Sequence, residues 1–145
     1  MKGYYKLPEL TASVFDEHGY FKTGDMGRFD ADGHLFITGR IKEMLIISGE
    51  NVFPREIEEA INHHPSVKDS AVVGLADPSR GEVPIAFVEL KDGEAWDESA
   101  VRAFVRDRLP PYKVPKEFRV LEALPRNPTG KILRRALAER LRAPA

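Results

Sequence analysis

Lys131 is placed where a lysine could bind an anion. It follows Thr129-Gly130, at a point where the sequence pattern predicts that a helix begins. The lysine would add a point charge on a flexible stem to the free N–H groups of the first helical turn. The segment is not a P-loop, because Pro125 replaces the first glycine of that motif and Ile132 replaces its Ser or Thr. Taken alone, Lys131 is either an anion-binding group or an ordinary surface lysine.

Asp25 and Arg40 have side chains suited to a nucleotide site. Asp25 ends the turn sequence Thr23-Gly24-Asp25, and a carboxylate there can accept hydrogen bonds from both hydroxyls of a ribose. The same carboxylate can equally close its own turn. Arg40 can contact a phosphate or a ribose, or form a surface ion pair. Residue type leaves these alternatives open.

Residues 39–51 are the stretch around which the chain is organised. Two cations, Arg40 and Lys42, introduce a short apolar run of strand character, which breaks at Ser48-Gly49 into a polar loop. A helical pattern then begins at Pro54. The pattern predicts a joint followed by a loop.

Composition excludes several classes of function. The chain has 145 residues, 42% of them hydrophobic, and a formal net charge of -1, so whole-chain charge favours neither nucleic acid nor a membrane. The absence of cysteine excludes disulfides and thiolate catalysis. Residues 101–145 carry twelve Lys or Arg against four Asp or Glu, which indicates either a solvated helix face or a phosphate-facing surface. The pair His63-His64 lacks a partner at metal-ligand spacing, so we expect no metal ligand.

The start of the chain lacks the apolar core of a signal peptide, and no apolar run approaches membrane-spanning length. We therefore expect no transmembrane segment and a cytoplasmic location.

The element pattern predicts an α+β fold. Residues 1–40 contain two similar turn sequences, 15–19 and 29–33, which predict a β-hairpin or meander. From residue 42 onward, strands alternate with helices, which predicts a small mixed β-sheet with flanking helices. The predicted elements are a helix from Pro54 to His63-His64, strands at 67–75, 83–90 and 118–121, a helix capped by Asp97, and a last helix capped by Thr129.

Three segments, 20–25, 39–51 and 125–131, resemble in this order the last sequence motifs of the adenylate-forming superfamily. That superfamily contains acyl-CoA synthetases, peptide-synthetase adenylation domains and luciferases. The resemblance covers essentially the whole chain. Residues 1–40 are similar to the terminal β segment of the large N-terminal adenylating domain, 41–42 to the hinge, and 43–145 to the small C-terminal lid domain.

The resemblance implies a role for each matched residue of the nucleotide site. Asp25 would hold the ribose hydroxyls of ATP or of the acyl-adenylate, and Arg40 would support the same nucleotide. Asn51 would close its loop near that nucleotide. Lys42 would be the hinge, and Lys131 would be the catalytic lysine of the adenylation half-reaction.

The resemblance also implies a coenzyme A site. Ser48, Gly49 and Glu50 match the loop that lines the pantetheine tunnel, and Arg80 is a candidate for contact with the CoA nucleotide. The commonest acyl-CoA synthetase form has two glycines before its Glu-Asn pair, whereas this chain has Ser48 in place of the first.

The implied function is that of an acid–CoA ligase, with ATP, CoA and Mg²⁺ as cofactors and a fatty acid as the first expected substrate, followed by aryl acids. In the family the phosphate loop, the adenine site, the acyl pocket and most Mg²⁺ contacts lie in the N-terminal domain. We therefore predict that this fragment works with its own N-terminal adenylating domain and is inactive alone. The acceptor, CoA or a carrier phosphopantetheine, is left open.

The alternative function is a stand-alone nucleotide-binding or regulatory module without catalysis, which would use the basic residues of the C-terminal half for phosphate. The coding sequence upstream of Met1 would separate the two readings. A nucleic-acid binder is a weaker alternative, because the net charge is -1 and no strand interleaves aromatic and basic residues.

Overall fold

The computed structural model describes residues 1–142, which divide into two compact units, the first spanning Met1–Lys42 and the second beginning at Glu43. The helices are α1 (Pro8–Ser13), α2 (Pro54–Asn62), α3 (Glu98–Arg106) and α4 (Arg134–Arg142). The strands are β1 (Asp25–Phe29), β2 (Leu35–Arg40), β3 (Leu45–Ile47), β4 (Glu50–Val52), β5 (Val67–Asp77), β6 (Gly81–Leu90) and β7 (Glu117–Leu121). No helix among the described residues is both long and apolar enough to cross a membrane.

The first unit contains one helix and one hairpin. Strands β1 and β2 pair antiparallel, with an irregularity between Met26 and Gly27. The second of the two predicted turns thus joins two strands, but around the first only a single bridge forms, between Phe15 and Phe21. The meander prediction also missed α1, whose first residue is Pro8. Proline suits a first helical position because its φ is already helical and no hydrogen bond is lost there.

The second unit is a five-stranded mixed sheet. Its strands lie in the order β4-β3-β6-β5, and β7 pairs in parallel with β6. The hairpin β5–β6 is the long central element, with Val67 opposite Leu90 at one end and Asp77 opposite Gly81 at the other. The predicted α+β fold with a small mixed sheet and flanking helices is confirmed.

Helices cover both faces of this sheet, because alternate residues of a strand point to opposite faces. On β6, Ala86 and Val88 belong to the cluster that packs under α2 and α3. Ile85 and Phe87 belong to the other cluster, which contains Leu137 of α4. A strand buried on both sides reads as a continuous apolar run, which is why residues 83–90 were recognisable as a strand.

Two helix boundaries follow local signals. Pro54 is the first residue of α2, as predicted, and His63 caps its end. Asp97 caps α3, since its Oδ1 accepts the Ala100 N–H at 3.0 Å. Asp97 provides a partner for a free N–H group of the first helical turn, and Pro54 has no N–H group that would need one.

The predicted start of the last helix was wrong. Helix α4 begins at Arg134 rather than after Thr129. The Thr129 hydroxyl donates to the Asn127 side chain at 2.8 Å, and Ile132 forms a bridge with Arg126. Local hydrogen bonds and this bridge compete with helix formation over residues 127–132, so Lys131 is not at a helix N-terminus.

Candidate functional site

Asp25 and Arg40 lie opposite each other on β1 and β2. The Nε atom of Arg40 is 2.9 Å from Oδ1 of Asp25, and both side chains are partly exposed. The backbone N–H of Asp25 donates to the Thr23 hydroxyl at 3.1 Å, which orders the turn before β1. The structure therefore brings the two predicted nucleotide residues together as an ion pair. A carboxylate and a guanidinium each have capacity for further hydrogen bonds, so this pair can also engage a ligand.

Lys42 is the middle residue of a 3-10 turn, Ile41–Glu43, and is exposed. The division between the two compact units falls directly after it. The Ile41 N–H donates to the Gly24 carbonyl at 2.9 Å, which ties the residue before Lys42 to the first unit. The polypeptide at Lys42 is thus the covalent connection from one unit to the next, and its role as a hinge stays a prediction.

The predicted CoA loop is the tight turn between β3 and β4. Ile47 pairs with Glu50, so Ser48 and Gly49 form a two-residue hairpin loop. Both loop residues have positive φ, 53° for Ser48 and 86° for Gly49, as a type I′ turn requires. Ser48, Gly49, Glu50 and Asn51 are all exposed, so this part of the hairpin is accessible to a ligand.

Arg80 lies in the turn between β5 and β6, beside the CoA loop. The Ser48 N–H donates to the Arg80 carbonyl at 2.8 Å. Asp77 orders the turn, because its Oδ1 accepts from the Ser79 hydroxyl at 2.7 Å, the Ser79 N–H at 3.0 Å and the Arg80 N–H at 3.2 Å. The Ser79 hydroxyl and the Lys116 ammonium, 3.0 Å from Oδ2, lower the pKa of Asp77. The ionised carboxylate therefore holds the Arg80 turn in place at neutral pH.

Arg80 also lines a groove of about 560 Å³. Three further cations line it, Arg102, Arg106 and Lys116, against a single carboxylate, Asp77. Such an excess of positive charge in a concave site favours an anion such as a phosphate. Sequence reasoning singled out Arg80 alone, although the basic excess after residue 101 was the signal for the other three.

Lys131 lies on a short loop that the Asn127 side chain organises. Oδ1 of Asn127 accepts from the Lys131 N–H at 2.8 Å, the Thr129 N–H at 3.1 Å and the Thr129 hydroxyl at 2.8 Å. The Asn127 N–H donates to the Lys131 carbonyl at 2.9 Å. The backbone of Lys131 is therefore held on both sides while its side chain is exposed to solvent.

Arg126 and Glu89 anchor this loop to the sheet. Arg126 donates from Nη1 to the Gly130 carbonyl at 3.0 Å and from Nη2 to Oδ2 of Asp69 on β5 at 2.5 Å. Glu89, buried on β6, accepts the Leu124 N–H at 2.9 Å. Sequence reasoning missed both residues, because their partners lie 57 and 35 positions away.

The histidines and acidic turns have local partners. His63 Nδ1 lies 2.6 Å from the Glu59 carbonyl and His64 Nδ1 lies 2.9 Å from the Ser66 hydroxyl. Ligand atoms of Asp30, Asp32 and His34 lie within 4.8 Å of one another. Hydrogen bonds from the N–H groups of residues 32 and 34 to Asp30 account for this arrangement as a turn.

Comparison with known proteins identifies the family. The AMP-binding enzyme C-terminal domain matches residues 56–131. A sulfoacetate–CoA ligase of Cupriavidus necator is 46% identical over 134 residues, which cover 92% of this chain and 26% of that protein. A long-chain-fatty-acid–CoA ligase of Bacillus subtilis is 46% identical over 139 residues, covering 96% of this chain and 25% of that protein.

A solved structure has the same fold. It is the o-succinylbenzoate CoA synthetase of Bacillus subtilis in complex with its acyl-adenylate intermediate, with a TM-score of 0.87 and 35% identity. The match covers 94% of this chain and 28% of that one. The chain spans about a quarter of the length of the curated relatives it matches. It belongs to the family of AMP-binding enzyme C-terminal domains, the small domain of adenylate-forming enzymes.

Proposed function

We propose that this chain is the C-terminal part of an acid–CoA ligase that forms an acyl-adenylate from ATP and a carboxylate and then converts it to a CoA thioester. The observation that carries the proposal is the loop of Lys131, a residue whose backbone is fixed by Asn127 and which is exposed to solvent. A fixed backbone with an exposed cation suits a group that stabilises charge on a substrate.

In the first step a carboxylate oxygen attacks the α-phosphorus of ATP, the bond to the β-phosphate oxygen breaks, and pyrophosphate leaves. Negative charge accumulates on the phosphate and carboxylate oxygens. The Lys131 ammonium stabilises that charge, and such preorganised donors typically contribute about 3 to 4 kcal/mol. Asp25 and Arg40 hold the ribose side of the nucleotide, and Asn51 closes the loop near it. Mg²⁺ neutralises phosphate charge when bound, and we assign it to the N-terminal domain rather than to residues of this chain.

In the second step the CoA sulfur attacks the acyl carbon, the bond from that carbon to the AMP phosphate oxygen breaks, and AMP and the thiol proton are released. Ser48, Gly49 and Glu50 would line the path of the pantetheine, and Arg80 would bind the CoA nucleotide. The contact between the Ser48 N–H and the Arg80 carbonyl supports this assignment, because it joins the two segments into one surface. The groove with Arg102, Arg106 and Lys116 provides additional positive charge for phosphate groups.

We propose a fatty acid as the substrate, on the basis of the sequence of residues 50–54, Glu-Asn-Val-Phe-Pro. The relatives act on different acids by name, including sulfoacetate, long-chain fatty acids and o-succinylbenzoate. These relatives are named for different acids, so the choice of a fatty acid rests on residues 50–54 alone.

We further propose that residues 1–40 are the end of the large adenylating domain, 41–42 the hinge and 43–145 the lid. The first unit leaves large apolar side chains exposed, including Phe29 at 70% and Leu35 at 58%. Apolar surface of this kind is usually covered by another part of a protein, and the rest of the adenylating domain would cover it. The chain by itself would then have no catalytic turnover.

The test is Lys131→Ala in an enzyme that joins this chain to its adenylating domain. We expect the rate of acyl-AMP formation to fall by about two to three orders of magnitude, the scale of a lost oxyanion donor. ATP–pyrophosphate exchange measures this rate. Thioester formation from supplied acyl-AMP should be nearly unchanged, because rotation at the joint would by then have moved Lys131 away from the α-phosphate.

The matched control is Lys91→Ala, which removes an exposed lysine that donates to the Pro65 carbonyl. It should leave both half-reactions intact. Equal loss of both half-reactions in Lys131→Ala would mean that the lysine is structural. Absence of acid-dependent exchange in the unsubstituted enzyme would contradict the ligase assignment and favour a regulatory module.

A further inference from the structure

Arg134, the first residue of α4, connects three segments that are distant in sequence. Its Nη2 lies 2.7 Å from Oε2 and 2.9 Å from Oε1 of Glu58 in α2. Its Nη1 lies 3.2 Å from Oε2 of Glu43, the last residue of the 3-10 turn that contains Lys42. One guanidinium group thereby ties α4, α2 and Glu43 to each other.

Glu58 is a firm anchor for this connection. It is buried, 7% exposed, and its Oε1 also accepts the Val72 N–H from β5 at 2.7 Å. Burial raises the pKa of the Glu58 carboxyl, while the Arg134 guanidinium and the Val72 N–H oppose that rise. A buried carboxylate that takes both a strand N–H and a guanidinium group has little freedom to move, so Arg134 is held against the sheet.

The arrangement leaves one nitrogen of the Arg134 guanidinium group without a hydrogen bond within residues 1–142. Its Nε atom is buried and has no hydrogen-bond partner among the described residues. Buried ion pairs are weak contributors to stability in general, because desolvation opposes the attraction. Helix α4 is also attached independently, through the fully buried side chain of Leu137. Stability alone therefore gives little reason for two carboxylates to converge on this residue.

Arg134 is close in sequence to the Lys131 loop and contacts the residue that follows Lys42. It comes three residues after Lys131, and the Lys131 loop is joined to the start of α4 by the Arg126–Ile132 bridge and by the bond from the Leu133 N–H to the Pro125 carbonyl at 2.8 Å. Its partner Glu43 directly follows Lys42. The ion pair thus links Arg134, which follows the Lys131 loop, to the residue directly after Lys42.

We propose that Arg134 is a positioning residue that locks the Lys131 loop to the segment immediately after Lys42, so that the two move as one body when the backbone turns at the joint. This inference rests on the proposed adenylation function of Lys131. Arg134 acts through Lys131 and touches no substrate. Its loss should therefore slow the step that needs Lys131 without changing how tightly ATP binds.

The test compares variants in an enzyme that carries the complete adenylating domain. Arg134→Met should lower kcat for acyl-AMP formation by about 10- to 100-fold, the scale of a catalytic group displaced by about 1 Å. KM for ATP should change by less than about threefold, and thioester formation from supplied acyl-AMP should be retained. Arg134→Lys, which keeps one charge-assisted contact, should recover part of the rate.

Because Arg134→Met leaves buried Glu58 without its cation and could impair folding, Glu43→Gln is the sharper variant. It removes only the partly exposed contact at the joint and keeps the pair between Arg134 and Glu58. We expect a melting temperature within about 2 °C of the unsubstituted enzyme and a loss of about tenfold in acyl-AMP formation. The double variant should be no slower than Arg134→Met, since both substitutions break the same link.

The matched control is Arg135→Met, an adjacent arginine that is 93% exposed and pairs with Glu139 on its own helix. It should not affect either half-reaction. Full acyl-AMP formation in Glu43→Gln, or equal loss of both half-reactions in that variant, would overturn the positioning role. Normal acyl-AMP formation in Lys131→Ala would instead contradict the proposed function of Lys131. The two hypotheses, catalysis by Lys131 and positioning by Arg134, are therefore tested by different variants.

Discussion

The backbone of Ser48 adopts an unfavourable conformation in the tight turn between β3 and β4. Its φ of 53° lies in the left-handed region, where a residue with a Cβ atom is disfavoured by about 1 to 2 kcal/mol and glycine is not. Gly49, the next residue, has a φ of 86° and already meets the same requirement without that cost. In this turn the Ser48 N–H donates to the Arg80 carbonyl at 2.8 Å.

We therefore predict that Ser48→Gly stabilises the 145-residue chain by up to about 1 kcal/mol, less the entropy that glycine loses on folding. Gly49→Ala should destabilise it by about 1 kcal/mol, although a Cβ there would meet no atom within 4 Å. Urea unfolding of the two variants measures both effects. Equal destabilisation by both substitutions would show that the Ser48 side chain, rather than its backbone angle, matters.

Strand β6 supports the Lys131 loop through Glu89. This carboxylate is 5% exposed, accepts the Leu124 N–H at 2.9 Å and lies 2.7 Å from the Lys68 ammonium. The Leu124 N–H and Lys68 lower the pKa of Glu89 below its ordinary value of 4.5. The strand thus holds the segment that leads to Lys131 by a charge-assisted hydrogen bond that depends on pH.

The sign of this dependence follows from the lowered pKa. The ionised carboxylate contributes its full stabilisation above 4.5, and the contribution is lost as the pH falls through the folded-state pKa. We predict that Glu89→Gln lowers the free energy of unfolding by about 1 to 2 kcal/mol near pH 7. The difference from the unsubstituted chain should shrink progressively as the pH is lowered below 4.5.

Urea titrations at several pH values measure this gap between variant and unsubstituted chain. Glu122→Gln is the control, because Glu122 is exposed and lies close in sequence to the same loop. A gap that stays constant down to about pH 2 would contradict the assigned pKa direction.

At the scale of the whole molecule, the described residues fall into two compact units. The first ends at Lys42 and the second begins at Glu43, and Lys42 lies in a 3-10 turn. A single short connection permits rotation about few backbone angles, which is how hinge residues act in domain closure. The two steps of the proposed reaction require different groups near the substrate, and rotation at this joint would exchange them.

We predict that Lys42→Pro in the complete enzyme separates the two half-reactions. Proline fixes φ near that of the 3-10 turn and restricts Ile41 as well, so one arrangement of the joint should persist. We expect acyl-AMP formation to be retained and CoA-dependent consumption of acyl-AMP to collapse. Single-turnover measurements of each step separate these effects.

Lys42→Ala provides the comparison, because it removes the ammonium group and leaves the backbone free. It should have a far smaller effect than proline on either step. Unchanged thioester formation in Lys42→Pro would refute the hinge, and equal effects of alanine and proline would move the role from the backbone to the side chain.

Local sequence patterns determined most of the second unit. The start of α2 at Pro54, the cap of α3 at Asp97 and the two long strands follow from signals within a few residues of each other, namely a proline, a capping carboxylate and continuous apolar runs. The three motifs likewise lie in short segments, which is why the resemblance to adenylate-forming enzymes could be recognised and the family is confirmed.

Only the tertiary structure decided how the candidate residues are held. The loop of Lys131 is closed by Asn127 and anchored by Arg126 and Asp69, where the local pattern predicted a helix start. Arg134 reaches Glu58 across 76 positions of sequence. Such contacts depend on which strands become neighbours, because a residue's partners across a sheet or between a helix and a sheet are set by the packing of whole elements and leave no periodic signal in the chain.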